Sequence, residues 1–166
     1  MEIDRFWEIV EAARAVPAPF DEALFNRLRQ LPGDEIVEFG RRFGELQLEL
    51  YRWDVWGAAY LIGGGCSDDA FIDFCAGVIS LGREWLEQPD SLATHPEVQA
   101  EGGDQFEPLF YEEVTYVPAR AWRQATGGTD FPQEPVAHDR DMGESFDFDD
   151  ESEMRRRYPS LAPVCL

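Results

Sequence analysis

The chain has 166 residues, which is the size of one domain with its own hydrophobic core. Hydrophobic residues make up 44% and aromatic residues 13% of the sequence, and this apolar share excludes wholesale disorder. Thirty-four acidic residues against fourteen basic ones give a formal net charge of −20, whose field repels phosphate backbones and anionic lipids, so binding to nucleic acids and to membranes is disfavoured.

The composition predicts a cytoplasmic protein. Residues 1–15 carry charged side chains throughout, which a secretory signal peptide does not tolerate. The longest weakly charged run, residues 55–67, is too short to span a membrane. Cys66, Cys75 and Cys165 have no paired spacing, so we expect free thiols in a reducing compartment.

Apolar residues at helical spacing predict two helices at the start of the chain. They cover residues 3–15 and 20–31, each with an apolar stripe and an acidic opposite face. Pro17 ends the first helix, and Asp21 is the predicted N-cap of the second.

One long helix is predicted next. Asp34 is its predicted N-cap, and the apolar period that begins at Ile36 continues through Trp53 to Tyr60. The glycines at 63–65 end this helix, because glycine readily adopts the left-handed conformation found at helix ends.

The following helix has the clearest start signal in the chain. Ser67 is its predicted N-cap, and Asp68 and Asp69 in the first turn favour the positive end of the helix. Two more helices are predicted, one over residues 106–116 and one from Pro118 to the glycines at 127–128. No segment shows the alternation of a β-strand.

The C-terminal part is acidic and partly irregular. Residues 139–153 contain eight acids and one arginine, and we predict no regular structure over residues 129–153. A short helix is predicted over residues 153–158, with Arg155, Arg156 and Arg157 near its negative end.

These elements predict a mainly α protein. We expect one domain over residues 1–166, built as an irregular bundle of about five to seven helices with its helical core over residues 3–127.

Several motifs resemble a known family. The runs YRWDVWGAAY at residues 51–60 and GGCSDDAF at residues 64–71 carry the similarity, together with Phe6-Trp7 and the acidic and arginine-rich residues 147–157. They resemble a bacterial family catalogued as domain of unknown function 4240. The resemblance implies no activity, and relatives that lie beside regulatory domains imply a module rather than an enzyme. The family pattern has arginine where this chain has Cys75, so a family site that uses this arginine would be altered here.

Carboxylates and aromatic rings define a candidate binding pocket in the same region. Asp69 and Asp73 are four residues apart on one helical face, and with Asp54 they have the chemistry to bind a cation beside aromatic rings. The alternative is that these aspartates are helix caps and solvated side chains, with Asp54 paired to Arg52. The candidate pocket residues are Trp53, Asp54, Trp56, Tyr60, Cys66, Ser67, Asp68, Asp69 and Asp73.

No complete catalytic or metal-binding motif accompanies these residues. Cys66 lies near a helix N-terminus, which favours a thiolate, but Asp68 and Asp69 oppose it. The sequence lacks the cysteine and histidine spacings of zinc sites, so we predict no catalytic residue, no metal and no cofactor.

Two functions therefore stand as hypotheses. The first is a noncatalytic, acidic interaction or regulatory module whose partner is a basic protein. The second is a small-molecule or divalent-cation binding domain, or a hydrolase, that uses Asp54, Asp69 and Asp73. A nucleic-acid interface at Arg155–Arg157 or at Arg41 and Arg42 is opposed by the net charge. The sequence does not determine an oligomeric state.

Overall fold

A computed structural model describes residues 1–99, 109–132 and 141–166 of the chain. Within these ranges the chain is helical and contains no strand, which confirms the mainly α prediction. Six helices have nine residues or more, in agreement with the predicted five to seven, and three are shorter. The helices are α1 Ile3–Arg14, α2 Phe20–Leu28, α3 Gly33–Leu50, α4 Trp53–Gly63, α5 Asp68–Leu81, α6 Pro96–Gln99, α7 Glu112–Thr126, α8 Glu151–Arg157 and α9 Ala162–Cys165.

The buried side chains form one continuous core. The rings of Phe6 on α1 and Phe39 on α3 stack with centroids 4.6 Å apart, and both side chains are fully buried. Phe71 and Phe74 on α5 are buried in the same cluster. Helix α7 packs against α2, α3 and α5, so it forms the centre of the bundle.

The predicted N-caps of α2 and α3 are wrong. Each helix begins one residue before the predicted cap, after Pro19 and Pro32, whose extended backbone precedes the first turn. Asp21 and Asp34 therefore lie inside the first turn, where a carboxylate still favours the positive end of the helix. Ser67 caps α5 as predicted, because its side-chain oxygen accepts a hydrogen bond from the Ala70 N–H.

The long helix predicted from Asp34 to the glycines at 63–65 is two helices. The backbone leaves the helical conformation at Tyr51 and Arg52, and the Trp53 N–H donates to the Met142 carbonyl oxygen at 3.1 Å. Helix α4 buries six of its eleven residues, so the break leaves it packed against the rest of the bundle.

Pro118 does not begin a helix. It lies buried in the interior of α7, which runs without interruption to Gly127, the predicted end. Proline removes one helical hydrogen bond, and burial of its ring against α3 near Gly40 compensates for this loss. The predicted helix over residues 106–116 falls partly outside the described residues, and its described part becomes helical only at Glu112.

The C-terminal segment lies across α4. Residues 141–150 are not helical, as predicted, and α8 begins earlier than predicted because Asp150 accepts hydrogen bonds from the N–H groups of Ser152 and Glu153. Phe146 and Phe148 pack together on α4, with ring centroids 5.1 Å apart. We call residues 141–150 the C-terminal strap. The part of the predicted irregular segment at 133–140 lies outside the described residues.

A hydrogen bond between distant residues holds the end of the chain. The Asp90 carboxylate accepts from the N–H of Leu161 at 2.8 Å and from that of Ser160 at 3.1 Å, just before α9. Helix α9 was not predicted from the sequence. None of the described helices is both long enough and apolar enough to cross a lipid bilayer.

The close packing of α4 against the C-terminal part of the chain predicts how an added methyl group at Gly57 changes the stability. A Cβ at Gly57 would clash with the Tyr158 hydroxyl oxygen and lie 2.8 Å from the Phe146 ring. We expect Gly57→Ala to lower the free energy of unfolding by about 1–3 kcal/mol, as measured by urea denaturation. The loss should be smaller in a Tyr158→Phe background, which removes the clashing oxygen. A Gly57→Ala variant as stable as the wild type would contradict this packing.

Candidate functional site

The aromatic residues of the predicted pocket form a stacked layer. Trp56 stacks on Phe71 with centroids 4.6 Å apart and on Trp53 with centroids 5.5 Å apart. The Trp56 indole N–H donates to the Cys66 carbonyl oxygen at 3.1 Å. The Tyr60 hydroxyl donates to the Asp149 carboxylate at 2.6 Å. These contacts join α4 to α5 and to the C-terminal strap, so the rings support the fold around them.

The structure places Asp54 apart from Asp69 and Asp73, which lie one turn apart on α5. Asp54 forms a bidentate ion pair with Arg52, with N–O distances of 2.9 and 3.1 Å, as the alternative interpretation predicts. Asp54 lines a cavity of about 320 Å³ together with Arg157, whereas Asp73 lines a larger cleft elsewhere. Among the described residues, no three acidic, cysteine or histidine side chains group as metal ligands.

Ser67, Asp68 and Asp69 are exposed residues at the start of α5. Ser67 acts as the helix cap, and the two carboxylates occupy the first turn. Their position explains the helix start.

The cysteines lie in environments that favour the neutral thiol. Burial, followed by the nearby charges of Asp68 and Asp73, raises the pKa of Cys66 to about 11. Burial also raises the pKa of Cys75. Both side chains are therefore protonated at neutral pH and are poor nucleophiles. All three cysteines are free thiols.

A large cleft borders the part of α5 that carries Asp73. It has a volume of about 820 Å³ and opens between the end of α1, the start of α2, α5 and the start of α7. Acidic side chains from three helices and three aromatic rings line it. We call it the acidic cleft, and its principal lining residues are Phe20, Asp21, Asp73, Phe110, Tyr111, Glu112 and Glu113.

A close backbone approach positions one wall of the acidic cleft. The main chain of Leu109 lies so near α5 that a Cβ at Gly77 would overlap its carbonyl group. The Tyr111 N–H then donates to the Asp73 carbonyl oxygen at 3.1 Å. These two contacts place Tyr111 and the first turn of α7 beside α5.

A second set of bonds connects this wall to α2. The Tyr111 hydroxyl donates to the Asp21 carboxylate at 2.7 Å and accepts from the Asp21 N–H at 3.3 Å. Burial and the hydrogen bond to Asp21 raise the pKa of Tyr111 to about 12, so its hydroxyl stays protonated. The guanidinium of Arg120 lies 3.9 Å from the other oxygen of Asp21.

Asp73 is a partly buried carboxylate of the cleft that lies near other negative charges. Partial burial raises its pKa, and the charges of Glu112, Asp69 and Glu113 raise it further. No arginine of the described chain forms an ion pair with Asp73. Arg14 is the basic residue among the described lining residues, and it pairs with Glu11 at 2.8 Å. The cleft is therefore a region of concentrated negative charge.

Sequence reasoning included Asp73 and missed the rest of the cleft. Asp21, Glu112 and Glu113 come from segments distant in sequence, and no spacing rule connects them. The only sequence signal was the set of acids in the first turns of α2 and α7, which is also the ordinary composition of helix starts.

Residues 1–124 match the model of a family described as "Protein of unknown function (DUF4240)", so the chain belongs to that family. The matched range includes all the principal lining residues of the acidic cleft and ends before the C-terminal strap. Neither the curated proteins nor the solved structures contain a significant match to the chain.

The raised pKa of Asp73 predicts that neutralising this residue stabilises the protein. A carboxyl group whose pKa is higher in the folded than in the unfolded state binds protons more readily when folded, so the stability falls as the pH rises above the ordinary value of 3.8. We expect Asp73→Asn to unfold at higher urea concentration than the wild type at pH 7, with the difference disappearing under acid conditions.

Glu49→Gln is the matched control, because Glu49 is exposed on α3 away from the cleft. It should leave the urea midpoint almost unchanged. A lower midpoint for Asp73→Asn at pH 7 would show that the Asp73 carboxylate stabilises the fold, in contradiction to this assignment.

Proposed function

We propose that the protein is a noncatalytic interaction or regulatory module that binds a basic segment of a protein partner in the acidic cleft. The observation that carries this proposal is the position of Asp73. Its partly buried carboxylate lies among like charges and without an ion-pair partner in the described chain.

The electrostatics of the cleft suit a cationic ligand. Like charges held close together destabilise one another, and a bound ammonium or guanidinium group relieves that repulsion. A residue that costs stability in the free protein and improves binding is a common feature of functional sites. The net charge of −20 adds a long-range field that steers basic partners toward the surface.

The shape and lining of the cleft support the same class of ligand. Phe20, Phe110 and Tyr111 present ring surface beside the carboxylates, and aromatic faces attract cations such as the arginine guanidinium. The volume of about 820 Å³ is within the usual range of roughly 300–1,000 Å³ for ligand sites, which is ample for a basic side chain and its neighbours.

The alternative of a cation-binding site or hydrolase at Asp54, Asp69 and Asp73 has less support. Such a site needs the three carboxylates around one point, whereas Asp54 is paired with Arg52 and lines a cavity that Asp73 does not. No separate observation favours this alternative.

The proposal is tested with two variants of equal net charge. Each variant loses three carboxylates, so the two have the same net charge and differ only in where the charge is removed. The cleft variant is Asp73→Asn with Glu112→Gln and Glu113→Gln, and the control is Glu49→Gln with Glu84→Gln and Asp130→Asn, three exposed residues outside the cleft.

We expect a short oligoarginine peptide to bind the wild type, and the cleft variant to bind it about tenfold more weakly. Exposed ion pairs contribute up to about 1 kcal/mol each, and tenfold in affinity corresponds to about 1.4 kcal/mol. Isothermal titration calorimetry measures the affinities, with circular dichroism to confirm that both variants are folded. The affinity of the control variant for the peptide should fall by about twofold or less.

Equal losses of affinity in the two variants would mean that the net charge of the protein, rather than the cleft, attracts the peptide. Failure of the wild type to bind oligoarginine even at low salt would overturn the proposal. Binding of an oligoglutamate peptide with similar affinity would also contradict it, because that ligand has the opposite charge.

A further inference from the structure

A small cavity lies between α3 and α7, with lining residues that differ from those of the acidic cleft. Its volume is about 30 Å³, and Phe43, Gln47, Thr115, Pro118 and Phe131 are among its lining residues. The first two come from α3, the next two from α7, and Phe131 from the segment that follows α7.

Two buried polar atoms belong to residues that line this cavity. The Gln47 Nε2 and the Thr115 Oγ1 are completely buried, and among the described residues neither has a hydrogen-bond partner. Buried polar atoms in folded proteins are nearly always hydrogen-bonded, because an unpaired one loses its bond to water without replacement. Two such atoms on one cavity indicate a shared partner.

We propose that this cavity binds one ordered water molecule that connects α3 to α7. The water oxygen accepts a hydrogen bond from the Gln47 amide and another from the Thr115 hydroxyl.

The size and chemistry of the cavity select water over other ligands. A single water needs at least about 10–15 Å³ and two to four polar partners, and both conditions are met. The Gln47 Nε2 group can only donate and therefore needs an acceptor, which a metal cation or an ammonium ion does not supply. The phenyl rings of Phe43 and Phe131 leave no room for an organic molecule beside them.

The inference does not depend on the proposed function, but it concerns the same helix. Thr115 lies one turn after Glu112, so the water would hold α3 against the part of α7 that carries the wall of the acidic cleft.

The direction in which two substitutions change the stability tests whether the water is present. If a water bridges the helices, Thr115→Val and Gln47→Leu each break its network, and each should raise the equilibrium constant for unfolding about tenfold. The double variant should lose less stability than the sum of the losses in the two single variants, because a cavity lined without these polar atoms needs no water. Urea denaturation measures these constants.

If the cavity is dry, each single substitution removes an unpaired polar atom and should stabilise the protein, which would overturn the proposal. Thr115→Ser is the conservative variant, since it keeps the hydroxyl and should keep most of the stability. Thr129→Val and Gln124→Leu make the same changes at exposed positions and should alter the constant less than about twofold.

A high-resolution crystal structure of the full chain gives the direct readout. We expect a water oxygen within hydrogen-bond distance of the Gln47 Nε2 and the Thr115 Oγ1. An empty cavity, or a Gln47 side chain bonded to a protein acceptor instead, would overturn the proposal.

Discussion

The close approach of the Leu109 main chain to α5 at Gly77 is the constraint on which the candidate site depends. Because position 77 has no side chain, the backbone before α7 reaches α5, and the Tyr111 N–H bonds to the Asp73 carbonyl. Tyr111 then extends to Asp21 on α2. Three helices distant in sequence thus converge, and each brings a carboxylate to the acidic cleft.

The second physical theme is the distribution of charge. Most arginines are paired in helical or cross-helical ion pairs, such as Arg41 with Glu38 and Arg156 with Glu153, and these pairs cover the surface of the bundle. The wall formed by Asp73 and Glu113 has no comparable partner in the described chain. Many other acids also lack a basic partner, as the net charge of −20 requires, but Asp73 is partly buried among like charges, and we assign the binding role to the cleft for this reason.

The sequence was sufficient for the helices and insufficient for the site. Helical spacing and the Ser67 cap predicted α1 and α5 well because both signals are local. The break at Tyr51 and the continuity of α7 through Pro118 depend on packing against other helices, which local preference does not contain. The same applies to the cleft. Asp73 was noticed beside Asp69, but its true neighbours, Glu112 and Glu113, follow from the tertiary contact at Gly77.

The central claim is that the Asp73 carboxylate lies among uncompensated negative charges and is available to a cation. A carbon-detected NMR titration of the Asp73 carboxyl group, with and without oligoarginine peptide, tests this most directly. We predict a pKa above the ordinary 3.8 in the free protein and a clear decrease when the peptide is bound, since a nearby cation favours the carboxylate. A pKa at or below 3.8 in the free protein, or one that the peptide leaves unchanged, would contradict the account.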